Sequence, residues 1–268
     1  MNIGILGCGA IGTGIAKYIV QNPETPWRLT GIYDIDQQRA GKLAAELSRS
    51  SLKKASLTEL IRDCDLMVEA INAQNTREIL KEALDSRKHL LALSVGKLLD
   101  AADLFDLARK NRCQFLIPSG AISGIDAVKS GALTSIKQIT LTTRKPISGF
   151  QGVSYIEQQG INLETINGET VIFEGGVVEA VQHFPRNINV AATLALACGD
   201  ASKLSIRIIT SPDYTSNSHE IEMTGDFGRL VTRTENRVSP ENPKTSYLAV
   251  LSAIRTLKDF CDGTRIGT

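Results

Sequence analysis

Residues 2–12, Asn-Ile-Gly-Ile-Leu-Gly-Cys-Gly-Ala-Ile-Gly, decide the fold. A short apolar run, Asn2–Leu6, ends in Gly7-Cys8-Gly9-Ala10-Ile11-Gly12, and Gly12–Gln21 continues with Ile15, Ile19 and Val20 at helical spacing. Between a strand and a helix, each glycine has its own task. Gly7 permits the tight turn, Gly9 lets backbone approach a pyrophosphate, and Gly12 lets the helix pack closely on the strand. The N–H groups at the helix start, at Ala10 and Ile11, and the helix dipole then hold phosphates. A second strand, Arg28–Tyr33, leads to Asp34, whose carboxylate can accept hydrogen bonds from an adenosine ribose. That carboxylate repels a 2′-phosphate and favours NAD. Asp36 adds a second acid and Arg39 offsets the repulsion, so NADP stays open.

Outward from this stretch, strand-like and helix-like segments alternate. Helical patterns at 37–47, 76–83 and 103–110 separate apolar runs at 66–70, 89–93 and 114–117. Strands apolar on both faces and separated by helices predict a parallel sheet with helices on both faces, a Rossmann-type domain over 1–120. After Pro118 the texture changes. Segments 138–144, 170–173, 205–209, 220–224 and 229–234 alternate polar and apolar residues, and helical patterns lie at 190–198 and 247–260. The expectation is α/β overall. An α+β domain with a mostly antiparallel sheet spans 121–268 and serves substrate binding and dimerisation, and the last helix packs back on the first domain.

Composition narrows the function. The 268 residues carry a formal net charge of +1, are 42% hydrophobic and 22% charged, and offer no general field for nucleic acid or an acidic membrane. No run approaches the ~18 apolar residues of a membrane span, and the first residues do not read as a signal peptide. The cysteines at 8, 64, 113, 198 and 261 are scattered, and the three histidines at 89, 183 and 219 lack ligand spacing. These patterns predict a cytoplasmic protein with reduced thiols and no metal.

Two strand ends, Glu69-Ala70-Ile71-Asn72 and Ser94-Val95-Gly96, should flank the nicotinamide half of a dinucleotide. Gly96-Lys97 reads as a plain helix start. The stretch 117–126, Ile-Pro-Ser-Gly-Ala-Ile-Ser-Gly-Ile-Asp, is either a ligand-wrapping loop, a domain hinge, or both.

Nearly the whole chain resembles the L-aspartate dehydrogenase family. The most specific stretches are IPSGAISGIDA (117–127), TTRKP (142–146), FPRNINVAATLALA (184–197), NSHEIEMTGDFG (217–228) and SPENPKTSYLAVLSAI (239–254). The resemblance implies nicotinamide contacts at Ala121 and Asn187 and an active-site histidine at His219. It also implies a homodimer, conversion of L-aspartate to iminoaspartate (then oxaloacetate and ammonia, reversibly), and a link to a quinolinate-forming enzyme in pyridine-nucleotide biosynthesis. His183 departs from the family pattern, which has an apolar residue there, and is given no catalytic role.

The residues support that chemistry on their own terms. Removing a hydride from Cα requires a neutral amine, and a histidine can take the proton. His219 lies between polar residues on a predicted strand, which argues against a packing role. Two substrate carboxylates call for donors. Arg144, Lys145, Lys244, Thr245 and Ser246 are candidates, with Arg144 favoured for bidentate pairing. The alternatives are a solvated strand end for Arg144 and Lys145 and helix capping for Thr245 and Ser246. Asn187 suits the nicotinamide amide, while Asn189 can cap a helix. Two other functions fit the glycine loop equally well: a homoserine dehydrogenase or dihydrodipicolinate reductase relative, and an NAD-binding sensor without turnover.

Overall fold

A computed structural model describes residues 1–184, 189–240, 242–263 and 266–267. Its chain divides into two units. One comprises Met1–Gly120, Ser239–Thr245 and Ala249–Ile266, and the other Ala121–Val238 with Ser246–Leu248.

In the first unit the chain alternates through β1 (Asn2–Leu6), α1 (Ala10–Gln21), β2 (Arg28–Tyr33), α2 (Gln37–Glu46), α3 (Leu57–Arg62), β3 (Leu66–Glu69), α4 (Thr76–Asp85), β4 (His89–Ala92), α5 (Ala102–Lys110) and β5 (Phe115–Leu116). The strands order β2-β1-β3-β4-β5, all pairs parallel. The chain steps from β1 to β2 on one side and returns to β3 on the other. The strand order therefore reverses at β1, and the loop after β1 lies at the switch point where such sheets bind ligands.

Side-chain alternation along β1 explains how both faces are covered. Ile3 and Ile5 join one buried cluster with Ile15 and Ile19 of α1 and with Val250 and Leu257 of the last helix. Gly4 points the other way, where a Cβ would meet Cys64 and Leu60 of the α3 region at 3.0 and 3.1 Å. The sequence reading assigns no element to 57–62. The structure has α3 there, started by Ser56 Oγ accepting from Glu59 N while Glu59 Oε2 accepts from Ala55 N. This reciprocal arrangement satisfies amides that a helix start otherwise leaves without acceptors.

The second unit begins with α6 (Ile125–Gly131) and β6 (Ile136–Pro146), followed by α7 (Ser154–Gln158), β7 (Thr170–Gly176), α8 (Val177–His183), α9 (Asn189–Cys198), β8 (Leu204–Ser211), β9 (Asn217–Gly225) and β10 (Gly228–Asn236). Its sheet orders β10-β9-β6-β8-β7. The β6–β8 pair is parallel and the other three are antiparallel. The short strands β11 (Val238–Ser239) and β12 (Asn242–Ser246) pair with each other before α10 (Tyr247–Asp262).

One face of this second sheet is apolar, with Ile139 and Leu141 of β6, Ile206 and Ile208 of β8, and Ile221 and Met223 of β9 all buried. The opposite face carries ion pairs, among them Arg229–Glu222 at 2.8 Å and Arg207–Glu174 at 3.6 Å. None of the described helices is long and apolar enough to cross a membrane.

Leu257 is fully buried on α10 and Leu251 on the same helix is 42% exposed. Leu257→Ala is expected to destabilise the protein by about 2–5 kcal/mol and Leu251→Ala by about 0.5 kcal/mol or less, read from denaturant unfolding. Equal losses would contradict the burial of the Leu257 face.

Candidate active site

The loop after β1 is a cradle that added side-chain atoms would fill. A Cβ on Gly12 would stand 1.9 Å from Gly7 O, and one on Gly7 would stand 2.4 Å from Ala70 O. Gly7 itself has φ +102, a left-handed conformation open to glycine. Over Gly9, by contrast, there is open space within 4 Å. Gly9 is also the N-cap of α1 and offers no side chain to the helix. The amides of the first turn, at Ala10, Ile11 and Gly12, therefore lack intrahelical acceptors and face an uncapped end of a helix of 12 residues. These residues fit the pyrophosphate of a dinucleotide.

Asp34 has two roles in the structure. Its Oδ2 accepts from Cys8 N at 2.8 Å, which ties the end of β2 to the glycine loop, and its Oδ1 accepts from Asp36 N at 2.9 Å. Each carboxylate oxygen keeps a further lone pair for a ribose hydroxyl. Asp36 caps α2 through Gln38 N and Arg39 N, and the Arg39 guanidinium pairs with it at 3.2 Å. The cation that left NADP open is thus held by an acid one turn away. Cys8, beside Asp34, is no nucleophile, because burial first and the Asp34 charge second push its thiol up to about 12.

Glu69 is a feature of this unit that the sequence reading placed only as a strand end. Its side chain is fully buried. Its carboxyl accepts from Ile71 N at 3.0 Å, Leu93 N at 3.2 Å and Ser94 N at 3.0 Å, and lies 2.7 Å from Ser94 Oγ. Ser94 Oγ also donates to Ile71 O. One carboxyl thereby fastens the loops after β3 and β4 to each other. Desolvation raises its pKa, and its hydrogen bonds oppose that rise.

In the second unit, His219 sits opposite Thr143 in the β9–β6 ladder. Thr143 Oγ1 lies 3.0 Å from His219 Nδ1. Its polar sequence neighbours argued against a packing role, yet His219 is 6% exposed, because residues 219, 221 and 223 face inward and their neighbours outward. Burial, and secondarily the Lys145 charge, press its pKa down to about 3. The imidazole is neutral across the physiological range.

The same alternation separates the two cations of the TTRKP stretch. Lys145, two residues beyond Thr143, shares the inner face and is 7% exposed. Burial lowers its pKa to about 8. Arg144 points to the outer face, where it meets Glu220 at 3.5 Å and Glu169 at 3.7 Å. The pleat thus puts Arg144, one of the candidate carboxylate donors, on the face opposite His219. Lys145, another of the candidates, shares the face of His219, as does Thr143, which the sequence reading missed and which the period of two from 141 to 145 could have found.

The glycine-rich loop comes to this same face. Ala121 O accepts from Thr234 Oγ1 at 3.0 Å and from Asn236 Nδ2 at 3.0 Å. Thr234 stands opposite His219 in the β10–β9 ladder, so Ala121 and His219 are neighbours through one threonine. Asn236, missed by sequence, also accepts from Ser246 Oγ at 2.7 Å. Ser246 thus serves Asn236, not the start of α10. Asn187 lies outside the described residues. Lys244 and Thr245 fall in β12. His183 packs on Tyr155 and Phe173, with ring centroids at 4.5 and 6.2 Å, and His89 accepts from Gln114 N at 2.9 Å, so both are structural.

Two family models match the chain. Residues 126–260 match the family model described as aspartate dehydrogenase, C-terminal, and residues 7–118 match that described as homoserine dehydrogenase, NAD binding domain. L-Aspartate dehydrogenases of Methanosarcina barkeri and Methanosarcina mazei are 42% and 43% identical, with all of both chains covered in each case. The crystal structure of aspartate dehydrogenase from Thermotoga maritima has a TM-score of 0.73 at 25% identity, covering 100% of this chain and 99% of that one.

The buried histidine makes stability depend on pH. An unfolded histidine binds its proton near 6.5, and His219 does so only near 3, so stability present above pH 6.5 is lost as pH falls toward 3. His219→Gln is expected to lose less stability than the parent across that window, measured by urea unfolding at a series of pH values. Parallel losses would show that His219 does not titrate as its burial requires.

Proposed function

Because this chain belongs to the aspartate dehydrogenase family of NAD(P)-dependent oxidoreductases, we propose that it oxidises L-aspartate to iminoaspartate, which hydrolyses to oxaloacetate and ammonia. The observation that carries the reading is a neutral, buried histidine fixed through Nδ1 against Thr143, beside the Ala121 loop.

In the tautomer where Nδ1–H donates to Thr143 Oγ1, Nε2 presents its lone pair. His219 then takes a proton from the substrate ammonium, leaving the amine neutral. A bound nicotinamide would supply the acceptor for the Cα hydride. As the Cα–H bond breaks, the nitrogen lone pair forms the C=N bond. Water adds to the imine carbon and ammonia leaves. In the reverse direction the protonated imidazole returns its proton to the nitrogen.

The binding roles follow the same logic. The amides of Ala10, Ile11 and Gly12, with Gly7 and Gly9, hold the pyrophosphate, and Asp34 receives the adenosine ribose. Ala121 and Asn187 meet the nicotinamide end. Lys244 and Thr245 serve as further donors to the substrate. Asp34, with Arg39 occupied by Asp36, supports a preference for NAD over NADP. We further assign a homodimer, supported by exposed Val171 and Val231 on the outer sheet face. The protein is placed in the cytoplasm, supplying imine to a quinolinate-forming enzyme.

His219→Ala is expected to lower L-aspartate-dependent nicotinamide reduction on the order of 10²- to 10⁴-fold while NAD still binds. D-Aspartate, glutamate, homoserine and alanine should give little turnover in the parent. A folded, NAD-binding parent without L-aspartate turnover would overturn the assignment. Separately, Asp34→Ser should narrow the ratio of kcat/KM for NAD over NADP by roughly tenfold, since it removes the charge facing a 2′-phosphate. An unchanged ratio would remove Asp34 from cofactor choice.

A further inference from the structure

We propose that Lys145 receives a carboxylate of the substrate, from the same sheet face that presents His219. The proposal rests on the reading of the substrate as a dicarboxylic amino acid.

The placement is fixed by the pleat. Lys145 follows Thr143 by two residues on β6, a separation of ~7 Å along one face, and Thr143 is hydrogen-bonded to the imidazole. The Lys145 charge acts on His219 directly. Lys145 and Thr143 share the apolar neighbours Leu141, Ile206, Ile208 and Val190, around a space of about one water. An ammonium, a hydroxyl and a neutral imidazole at this spacing match an amino acid, with cation toward carboxylate and imidazole toward amine. The apolar walls strengthen such a pairing, because charges interact more strongly where water is excluded. Arg144, the other cation of this stretch, is turned to the opposite face, where Glu220 and Glu169 lie at 3.5 and 3.7 Å.

The geometry has a second consequence. A carboxylate at Lys145 cancels the charge that presses on His219, so the substrate itself makes the imidazole a better proton acceptor. Other ionisable groups on elements packed over this sheet are Cys198 of α9, Tyr155 and Glu157 of α7, Glu179 and His183 of α8, and Asp126 and Lys129 of α6. Glu179, Asp126 and Lys129 are exposed, and His183 is stacked on Tyr155.

Succinate, which has both carboxylates and no amine, separates this inference from the oxidation reaction. Its binding to the NAD-saturated enzyme is measured by calorimetry from pH 6.5 to 9.5, in the parent and in Lys145→Met. Parent affinity should be level at low pH and fall above about 8, where Lys145 loses its proton. Lys145→Met should bind succinate on the order of 10- to 100-fold more weakly at neutral pH, with no break near 8. Methionine keeps the unbranched length of lysine, and the variant's NAD affinity and unfolding temperature serve as controls for its fold.

Parent-like succinate affinity and pH dependence in Lys145→Met would overturn the inference, as would L-aspartate turnover in a parent that does not bind succinate. Lys145-dependent succinate binding without L-aspartate turnover would leave the carboxylate seat standing and remove the substrate assignment.

Discussion

The second unit depends on the register of β6. This strand is paired on one side with β9 and on the other with β8, so its pleat is clamped from both directions. In that register Thr143 meets His219, Lys145 faces inward and Arg144 faces outward. A slip of one residue would exchange the faces, sending Arg144 into the interior and Lys145 out of it. Two sets of contacts oppose the slip. Ile139 and Leu141 pack inward with Ile206, Ile208, Ile221 and Met223, and Arg144 pairs outward with acids across the strand. The register that stabilises the core is thus the one that composes the site.

The site runs against the preferences of the core that holds it. His219, Lys145 and Thr143 lie where apolar residues would be more stable, and the depressed pKa values of His219 and Lys145 measure the strain of removing charge from water. That same desolvation keeps the imidazole neutral, with a lone pair available, while lowering its basicity. Glu69 is the counterpart in the first unit. Its burial is tolerated because three amides and a hydroxyl surround one carboxyl, and the result is a fixed pair of loops beyond β3 and β4.

The glycine loop works by omission. Close contact between Gly12 and Gly7 O brings α1 onto β1, and the open space over Gly9 leaves the first-turn amides without a cap. Asp34 fastens this loop through Cys8 N while keeping lone pairs free, so one carboxylate both shapes the cradle and sets its charge. The identity of a few small residues therefore determines what the switch point of the sheet can bind.

The sequence by itself determined the two architectures and the glycine cradle with Asp34 at the end of β2. These are local or periodic features. Glycine spacing, strand–helix alternation and short specific stretches do not require knowledge of which strands are neighbours. What only the tertiary structure decided depends on pairing across long separations. Thr143 meets His219 across 76 residues, Asn236 reaches Ala121 across 115, and Glu69 joins Ser94 across 25. The choice between Arg144 and Lys145 was of the same kind. The alternation was visible in the sequence, but which parity faced the imidazole was fixed only when β9 paired with β6, because a strand's inner face is defined by its neighbours.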